Sequence, residues 1–125
     1  MEKQKILLVE DNPSISKLVE YKLIKEGYDV TTRNNGIDGF EAACSLHPDM
    51  MILDVMMPGM NGFELLEKYR ETVPDSLTHV IMLTSKNREE DIKRGFDLGA
   101  VEYIGKPFKV GELSMRVKKV LDTNT

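Results

Sequence analysis

One uninterrupted apolar run dominates the hydrophobic pattern of the chain. In the stretch MMILDVMMPGMNG, from Met50 to Gly62, four apolar residues lead directly into Asp54, and Pro58 and Gly59 then break the run. An apolar run of this length between turn residues is typical of a strand buried on both faces. Such strands belong to parallel sheets covered by helices, which bind ligands at the carboxyl ends of their strands. Asp54, the last residue of the run, is therefore predicted to be the reactive group.

Shorter apolar runs predict four further strands. They are Ile6–Val9, Tyr28–Arg33, His79–Leu83 and Val101–Ile104. Tyr28–Arg33 alternates only partly between apolar and polar residues, which favours a position near an edge of the sheet.

Helical spacing of apolar residues between these runs predicts five helices. Asn12 is a suitable N-cap for the first. Leu18 there, Ile37 in the second and Phe96 in the fourth are predicted to face the core. The other helices are predicted over Gly36–Leu46, after Asn61, from Asn87 to Gly99 and over about Val110–Leu121. Asn61 can cap the third, with Glu64 three positions on as in a capping box. Strands that alternate with helices through short connections and right-handed crossovers require a doubly wound α/β fold with a parallel sheet. Residues 1–125 are predicted to form one domain with no output domain.

Composition narrows the class of protein. The chain has 125 residues, of which 41% are hydrophobic and 30% charged, and this suits a globular domain. No apolar stretch approaches the ~20 residues of a membrane span, and the first residues, MEKQK, do not form a signal peptide. The single cysteine, Cys44, rules out an internal disulfide and fits a cytoplasmic location. A net charge of −4 argues against direct nucleic-acid binding.

Three acidic residues follow two of the predicted strands. Glu10 and Asp11 come directly after the first strand, and Asp54 ends the third. If these strands are neighbours, the three carboxylates converge, and their mutual repulsion favours binding of a divalent cation. Because oxygen ligands prefer hard metals, Mg²⁺ or Mn²⁺ is expected rather than zinc.

The fourth and fifth strands deliver two further groups to the same edge. Thr84 offers a hydroxyl and Lys106 a positive charge. A carboxylate nucleophile, a hard metal, a hydroxyl and an ammonium suit the transfer of a phosphoryl group, with Asp54 attacking in line. The backbone carbonyl of Met56 is a plausible further metal ligand.

These residues resemble the motifs of a response-regulator receiver domain, the CheY-like phosphoacceptor module of two-component signalling. The matching features are the acid pair Glu10-Asp11, Asp54 followed by M-P-G-M-N-G, Thr84-Ser85, and Tyr103 three residues before K-P-F. They span the chain in the family's order. The resemblance implies the strand order 2-1-3-4-5.

The resemblance also implies roles for the site residues. Asp54 would accept phosphate from a phosphohistidine of a sensor histidine kinase or phosphotransfer protein. Asp11 would bind Mg²⁺ directly, and Glu10 through water. The Lys106–Pro107 bond would be cis, aiming the ammonium into the site. Such a domain catalyses its own phosphorylation and dephosphorylation and is not a turnover enzyme.

Signalling in this family depends on a hydroxyl and an aromatic ring, here Thr84 and Tyr103. The hydroxyl would move onto the phosphoryl group, and the ring would follow into the vacated space. The face of the fourth helix, fifth strand and fifth helix would then change and control a partner or an output domain. The segment LGAVEYIGKPF resembles receivers that dimerise through this face, where Glu102, Glu112 and Arg116 fit. Val101 departs from that pattern, because an acid is usual there.

The lifetime of the phosphorylated state is predicted from Met56 and Lys86, each two residues beyond a site residue. Met56 offers no hydrogen bond to the attacking water, and Lys86 offers no acceptor for its proton. A long-lived phosphoryl group is therefore expected, compared with a fast chemotaxis-type receiver.

Three alternative functions share parts of this pattern. A haloacid-dehalogenase-type phosphatase needs a second acid two residues after its nucleophile, where this chain has Met56. A flavodoxin-like cofactor binder needs a phosphate-cradling first loop, but Glu10 and Asp11 would repel phosphate. A degenerate receiver that acts only as a binding module would not need the complete set of acids, threonine and lysine.

Overall fold

The described residues, 2–85 and 89–122, form a five-stranded sheet covered by five helices in a computed structural model. The strands are β1 (Lys5–Val9), β2 (Asp29–Arg33), β3 (Met50–Asp54), β4 (His79–Thr84) and β5 (Glu102–Gly105). The helices are α1 (Pro13–Lys25), α2 (Gly36–Leu46), α3 (Gly62–Thr72), α4 (Glu89–Asp97) and α5 (Val110–Asp122). All strand pairs are parallel, in the order β2-β1-β3-β4-β5. The predicted α/β class, the strand order and the edge position of β2 are confirmed.

The central strand, β3, joins the two cores of the domain. All five of its residues are buried. Met51 and Leu53 pack into the core that α2 and α3 cover, while Met50 and Ile52 pack into the core under α1 and α5. This alternation follows from the two-residue period of a strand, and it explains why the whole run is apolar.

Side-chain caps fix where α1 and α3 begin. Asn12 Oδ1 accepts hydrogen bonds from the backbone N–H groups of Ser14 and Ile15, at 2.9 and 3.2 Å. Asn61 and Glu64 form a reciprocal capping box, with each side chain accepting from the other residue's N–H. Both caps were predicted from the sequence. The predicted start of the fourth helix at Asn87 lies outside the described residues.

Three predicted core residues are exposed instead. Leu18 is 54%, Ile37 53% and Phe96 48% accessible. In α1 the buried pair is Val19 and Leu23, four residues apart, so Leu18 is rotated about 100° away from the core. In α4 the residue that faces the sheet is Gly95, which leaves the neighbouring Phe96 on the outer side.

Among the described residues, no helix is both long and apolar enough to cross a membrane.

Strand register sets the position of the site. Val9 of β1 pairs with Leu53 of β3. Because the two strands are parallel, the residues that come next, Glu10 and Asp54, lie side by side. On the other flank of β3, Asp54 pairs with Leu83 of β4. The carboxyl ends of three adjacent strands therefore meet beside Asp54, as the sequence predicted.

Candidate functional site

Three carboxylates converge at the carboxyl ends of β1 and β3. One oxygen from each of Glu10, Asp11 and Asp54 lies within 4.8 Å of the others. Glu10 and Asp54 are only 1% and 2% accessible, whereas Asp11 is exposed. Asp11 is therefore the member of the cluster that is exposed to solvent.

A lysine partly balances this negative charge. The Nζ atom of Lys106 lies 2.7 Å from Glu10 Oε1 and 3.4 Å from Asp54 Oδ2. Lys106 follows β5, where its backbone N–H donates to the carbonyl of Thr84, and the Lys106–Pro107 peptide bond is cis, as the resemblance implied. The sequence placed Glu10 at the metal through water and did not anticipate this direct ion pair with Lys106.

The surroundings of Asp54 disfavour its ionised form. Burial is the main effect that raises the pKa of Asp54, and Glu10 and Asp11 raise it further, to about 7, although Lys106 opposes the rise. Burial lowers the pKa of Lys106, but its contacts with Glu10 and Asp54 outweigh this effect, and the net shift is upward. One ammonium is therefore insufficient for three carboxylates.

The donor set fits a hard divalent cation. Glu10 Oε1 is buried and, among the described residues, is the one buried side-chain oxygen or nitrogen without a hydrogen bond, although Lys106 pairs with its charge. Three carboxylates with a surplus of negative charge are typical ligands of Mg²⁺ or Mn²⁺. The site needs additional positive charge, and its oxygens can bind the ion that would provide it.

The loop after β3 keeps its backbone against Asp54. The N–H of Met56 donates to Asp54 Oδ1 at 3.3 Å, while the Met56 side chain is 50% accessible. Gly62 turns the loop back: its N–H donates to the carbonyl of Val55, and a Cβ at this position would lie 2.5 Å from the carbonyl oxygen of Asp54. The sequence does not predict this close approach of Gly62 to the backbone of Asp54. The role of Lys86 stays a prediction, because Lys86 lies outside the described residues.

The hydroxyl and the aromatic ring also lie where the sequence placed them. Thr84 ends β4 fully buried, and Tyr103 is half-buried on β5, paired with Met82. Burial raises the pKa of Tyr103 above its usual value. A hydrogen bond between its hydroxyl and the side chain of Thr84 opposes this rise without cancelling it. The two side chains are thus directly linked, next to the acid cluster.

Sequence comparisons with protein families and with individual proteins agree with each other. The model of the response regulator receiver domain matches residues 6–118. The transcriptional regulatory protein YkoG of Bacillus subtilis is 42% identical over 124 residues, which are 99% of this chain and 54% of that protein. PhoP, the alkaline phosphatase synthesis transcriptional regulatory protein of the same species, is 39% identical over 118 residues, or 94% of this chain and 48% of that one. The chain thus spans about half the length of these relatives.

Solved structures agree with the sequence relatives. The CheY-like receiver domain protein of Methanospirillum hungatei JF-1 is 29% identical, with a TM-score of 0.90 over 98% of this chain and 96% of that one. The Thermotoga maritima response regulator DrrB, an OmpR/PhoB homologue, is 34% identical, with a TM-score of 0.87 over 99% of this chain and 55% of that one. With the family model covering most of its length, and with the acid cluster at the carboxyl ends of its strands, the chain belongs to the response regulator receiver domain family.

Proposed function

We propose that this receiver accepts a phosphoryl group on Asp54 from a phosphohistidine, in a reaction that needs Mg²⁺ or Mn²⁺. Receiver domains of response regulators interact with histidine kinases or phosphotransfer proteins, and the relatives are transcriptional regulators rather than turnover enzymes. The observation that carries the proposal is the convergence of Glu10, Asp11 and Lys106 on Asp54. An isolated acid at a strand end is ordinary, but a buried one held between two acids and an ammonium suits a nucleophile.

In the proposed transfer, an Asp54 carboxylate oxygen forms a bond to phosphorus while the bond from phosphorus to the histidine nitrogen breaks. The imidazole leaves with that electron pair and takes up a proton from solvent. Lys106, 3.4 Å from Asp54, favours the ionised nucleophile and offers its ammonium to the transferred oxygens. The Thr84 hydroxyl, at the end of the adjacent strand, can donate to another of them.

The acidic pocket would hold the metal. Receiver domains bind Mg²⁺ at such a pocket, and here Asp11 and Asp54 would be direct ligands, with Glu10 acting through water and Met56 through its carbonyl. The cation would neutralise the surplus charge of the acids and of the phosphoryl oxygens. Asp11 is the exposed member of the cluster and is therefore the one that an incoming ion meets first.

The proposed output surface is the face formed by α4, β5 and α5. On this face Arg116 pairs with Glu102, and its other nitrogen lies 3.8 Å from Glu112. Val101 is 40% and Met115 73% accessible. Apolar side chains beside a charged network are suited to contact between two copies, so we propose that phosphorylation favours a homodimer here. The chain would then act as a single receiver domain that controls a partner or an attached output domain.

Asp54→Asn should take up no phosphate. With acetyl phosphate and Mg²⁺, the wild type should gain one phosphoryl group by intact mass, because Asp54 is the buried nucleophile beside Lys106. Asp75→Asn, which changes an exposed acid in the loop before β4, is the control and should be phosphorylated as the wild type is. Undiminished uptake by Asp54→Asn would contradict the assignment.

Mg²⁺ should raise the melting temperature of the wild type, because an ion that binds only the folded acid cluster stabilises it by mass action. Asp11→Ala should abolish the rise, while Asp75→Ala should keep it. The measurement is a thermal melt across a Mg²⁺ titration at fixed ionic strength. If Asp11→Ala retains the full rise, the ion binds elsewhere.

Without divalent cations, the wild type should lose stability relative to Asp54→Asn as the pH rises. The pKa of Asp54 is raised from 3.8 to about 7 in the folded protein, so the folded state binds more protons than the unfolded state between these values. The stabilising contribution is fully present below pH 3.8 and is lost as the pH rises through about 7. Urea unfolding of both proteins with EDTA, from pH 4 to pH 8, measures the difference. A difference that is independent of pH would contradict the assigned electrostatics.

The phosphoryl group should leave slowly, and the residues Met56 and Lys86 should set this rate. The double substitution Met56→Asn with Lys86→Glu supplies an amide and an acceptor for the attacking water, and each tenfold gain in the rate corresponds to ~1.4 kcal/mol off the barrier. Met115→Asn, at an exposed methionine of α5, is the control. Phosphate release is followed after removal of the phosphodonor. Release from the double variant that is no faster than from the wild type would show that these positions do not control the lifetime.

A further inference from the structure

Helix α4 rests on the sheet through a glycine. Gly95 is the one buried residue among the described residues of α4. A Cβ built at Gly95 would lie 2.9 Å from Cδ2 and 3.1 Å from Cε2 of Tyr103, and 3.7 Å from Cγ of Met82. Side chains do not approach a ring carbon to 2.9 Å without displacement, so any larger residue here must move either the helix or the ring.

The same ring is tied to the candidate phosphorylation site on its other side. The hydroxyl of Tyr103 is hydrogen-bonded to the side chain of Thr84, at the end of the neighbouring strand. Phe96 of α4 adds a tilted ring contact, with centroids 6.5 Å apart and planes at 42°. Tyr103 thus lies between the backbone of α4 at Gly95 and the hydroxyl of Thr84.

Charged side chains make two further contacts of α4. The guanidinium of Arg94 lies 4.7 Å from the ring centre of Phe63 on α3, and Lys93 pairs with Asp97 inside the helix. The Lys93–Asp97 ion pair is exposed and lies within α4, so it does not hold the helix on the sheet. A helix without a large buried side chain is easily displaced, so its position depends strongly on what lies under Gly95.

We propose that Gly95 is the positioning residue that couples α4 to the Thr84–Tyr103 pair. Without a side chain at this position, α4 can hold the ring of Tyr103 where its hydroxyl reaches Thr84. When Thr84 withdraws toward a phosphoryl group on Asp54, the hydrogen bond is released, the ring moves away from Gly95, and α4 loses its support. This inference rests on the proposed phosphorylation of Asp54.

The proposal predicts whether a substitution at Gly95 raises or lowers the affinity for a phosphoryl mimic. Gly95→Ala adds a methyl group that disfavours the observed ring position and leaves the acid cluster untouched. By linkage, a change that destabilises the resting arrangement must favour ligands of the switched arrangement. Gly95→Ala should therefore bind beryllofluoride, a mimic of the phosphoryl group, about fivefold more tightly or better in the presence of Mg²⁺.

A double-mutant cycle with Tyr103→Ala tests the route of this effect. Beryllofluoride affinity and urea unfolding are measured for the wild type, both single variants and the double variant, with the exposed Gly111→Ala as control. A Cβ at Gly111 would meet nothing within 4 Å, so that variant should bind as the wild type does. With the ring removed, Gly95→Ala should leave the affinity unchanged, because the added methyl group has no ring to displace, and it should no longer destabilise the fold.

The outcomes separate the two proposals. If the wild type binds no beryllofluoride through Asp54, the proposed function fails, and the switching role of Gly95 fails with it. If the wild type binds but Gly95→Ala has unchanged affinity, or the same altered affinity with and without Tyr103, only the role of Gly95 is overturned. Should Gly95→Ala not fold, removal of the ring by Tyr103→Ala should restore folding. Failure to restore it would place the clash elsewhere and overturn the proposal.

Discussion

The structure depends on holding three carboxylates close together at a largely buried edge of the sheet. Three carboxylates and one ammonium occupy the edge where β1, β3 and β5 end, and two of the acids are almost fully buried. The parallel sheet makes this arrangement possible, because neighbouring strands end side by side and their packed apolar bodies keep the acids from separating. Burial and the resulting surplus of negative charge both raise the pKa of Asp54, and the surplus favours binding of a cation. Burial and repulsion of the acids destabilise the fold at this edge. The apolar residues of β3, which are buried in both cores, offset this effect.

A second constraint concerns how the site reaches the surface. Thr84 is fully buried, and its partner Tyr103 is half-buried under α4, so a change at the acids can reach solvent through two side chains and one helix. The elements packed by large side chains, such as α3 with Leu65, Leu66 and Tyr69, have little freedom to respond. In the described part of α4, a glycine occupies the corresponding inner position. The acids therefore have well-packed elements such as α3 nearby, whereas α4 contacts the sheet through a glycine.

Most of the fold and the candidate site could be predicted from the sequence, because both follow from strong local signals. The apolar run before Asp54, the caps at Asn12 and Asn61, and the acids at strand ends each have one dominant physical interpretation. The failures came where a choice depends on tertiary packing. Leu18 and Phe96 satisfy a helical apolar pattern, but neighbouring residues took the inner positions. The ion pair between Lys106 and Glu10, and the closeness of Gly95 to Tyr103, depend on contacts between distant segments, and no spacing along the chain reports them.

The strand order has a consequence for the biosynthesis of the site. A ribosome releases the acids of β1 and β3 first and Thr84 of β4 later, while Lys106 follows β5, which occupies the outer edge of the sheet beside β4. A nascent chain that has emerged only as far as β4 has the three carboxylates but not Lys106, the ammonium that contacts two of them in the finished domain. The last strand therefore completes the sheet and brings Lys106 to the acids in the same step, so the end of folding coincides with the assembly of the candidate site.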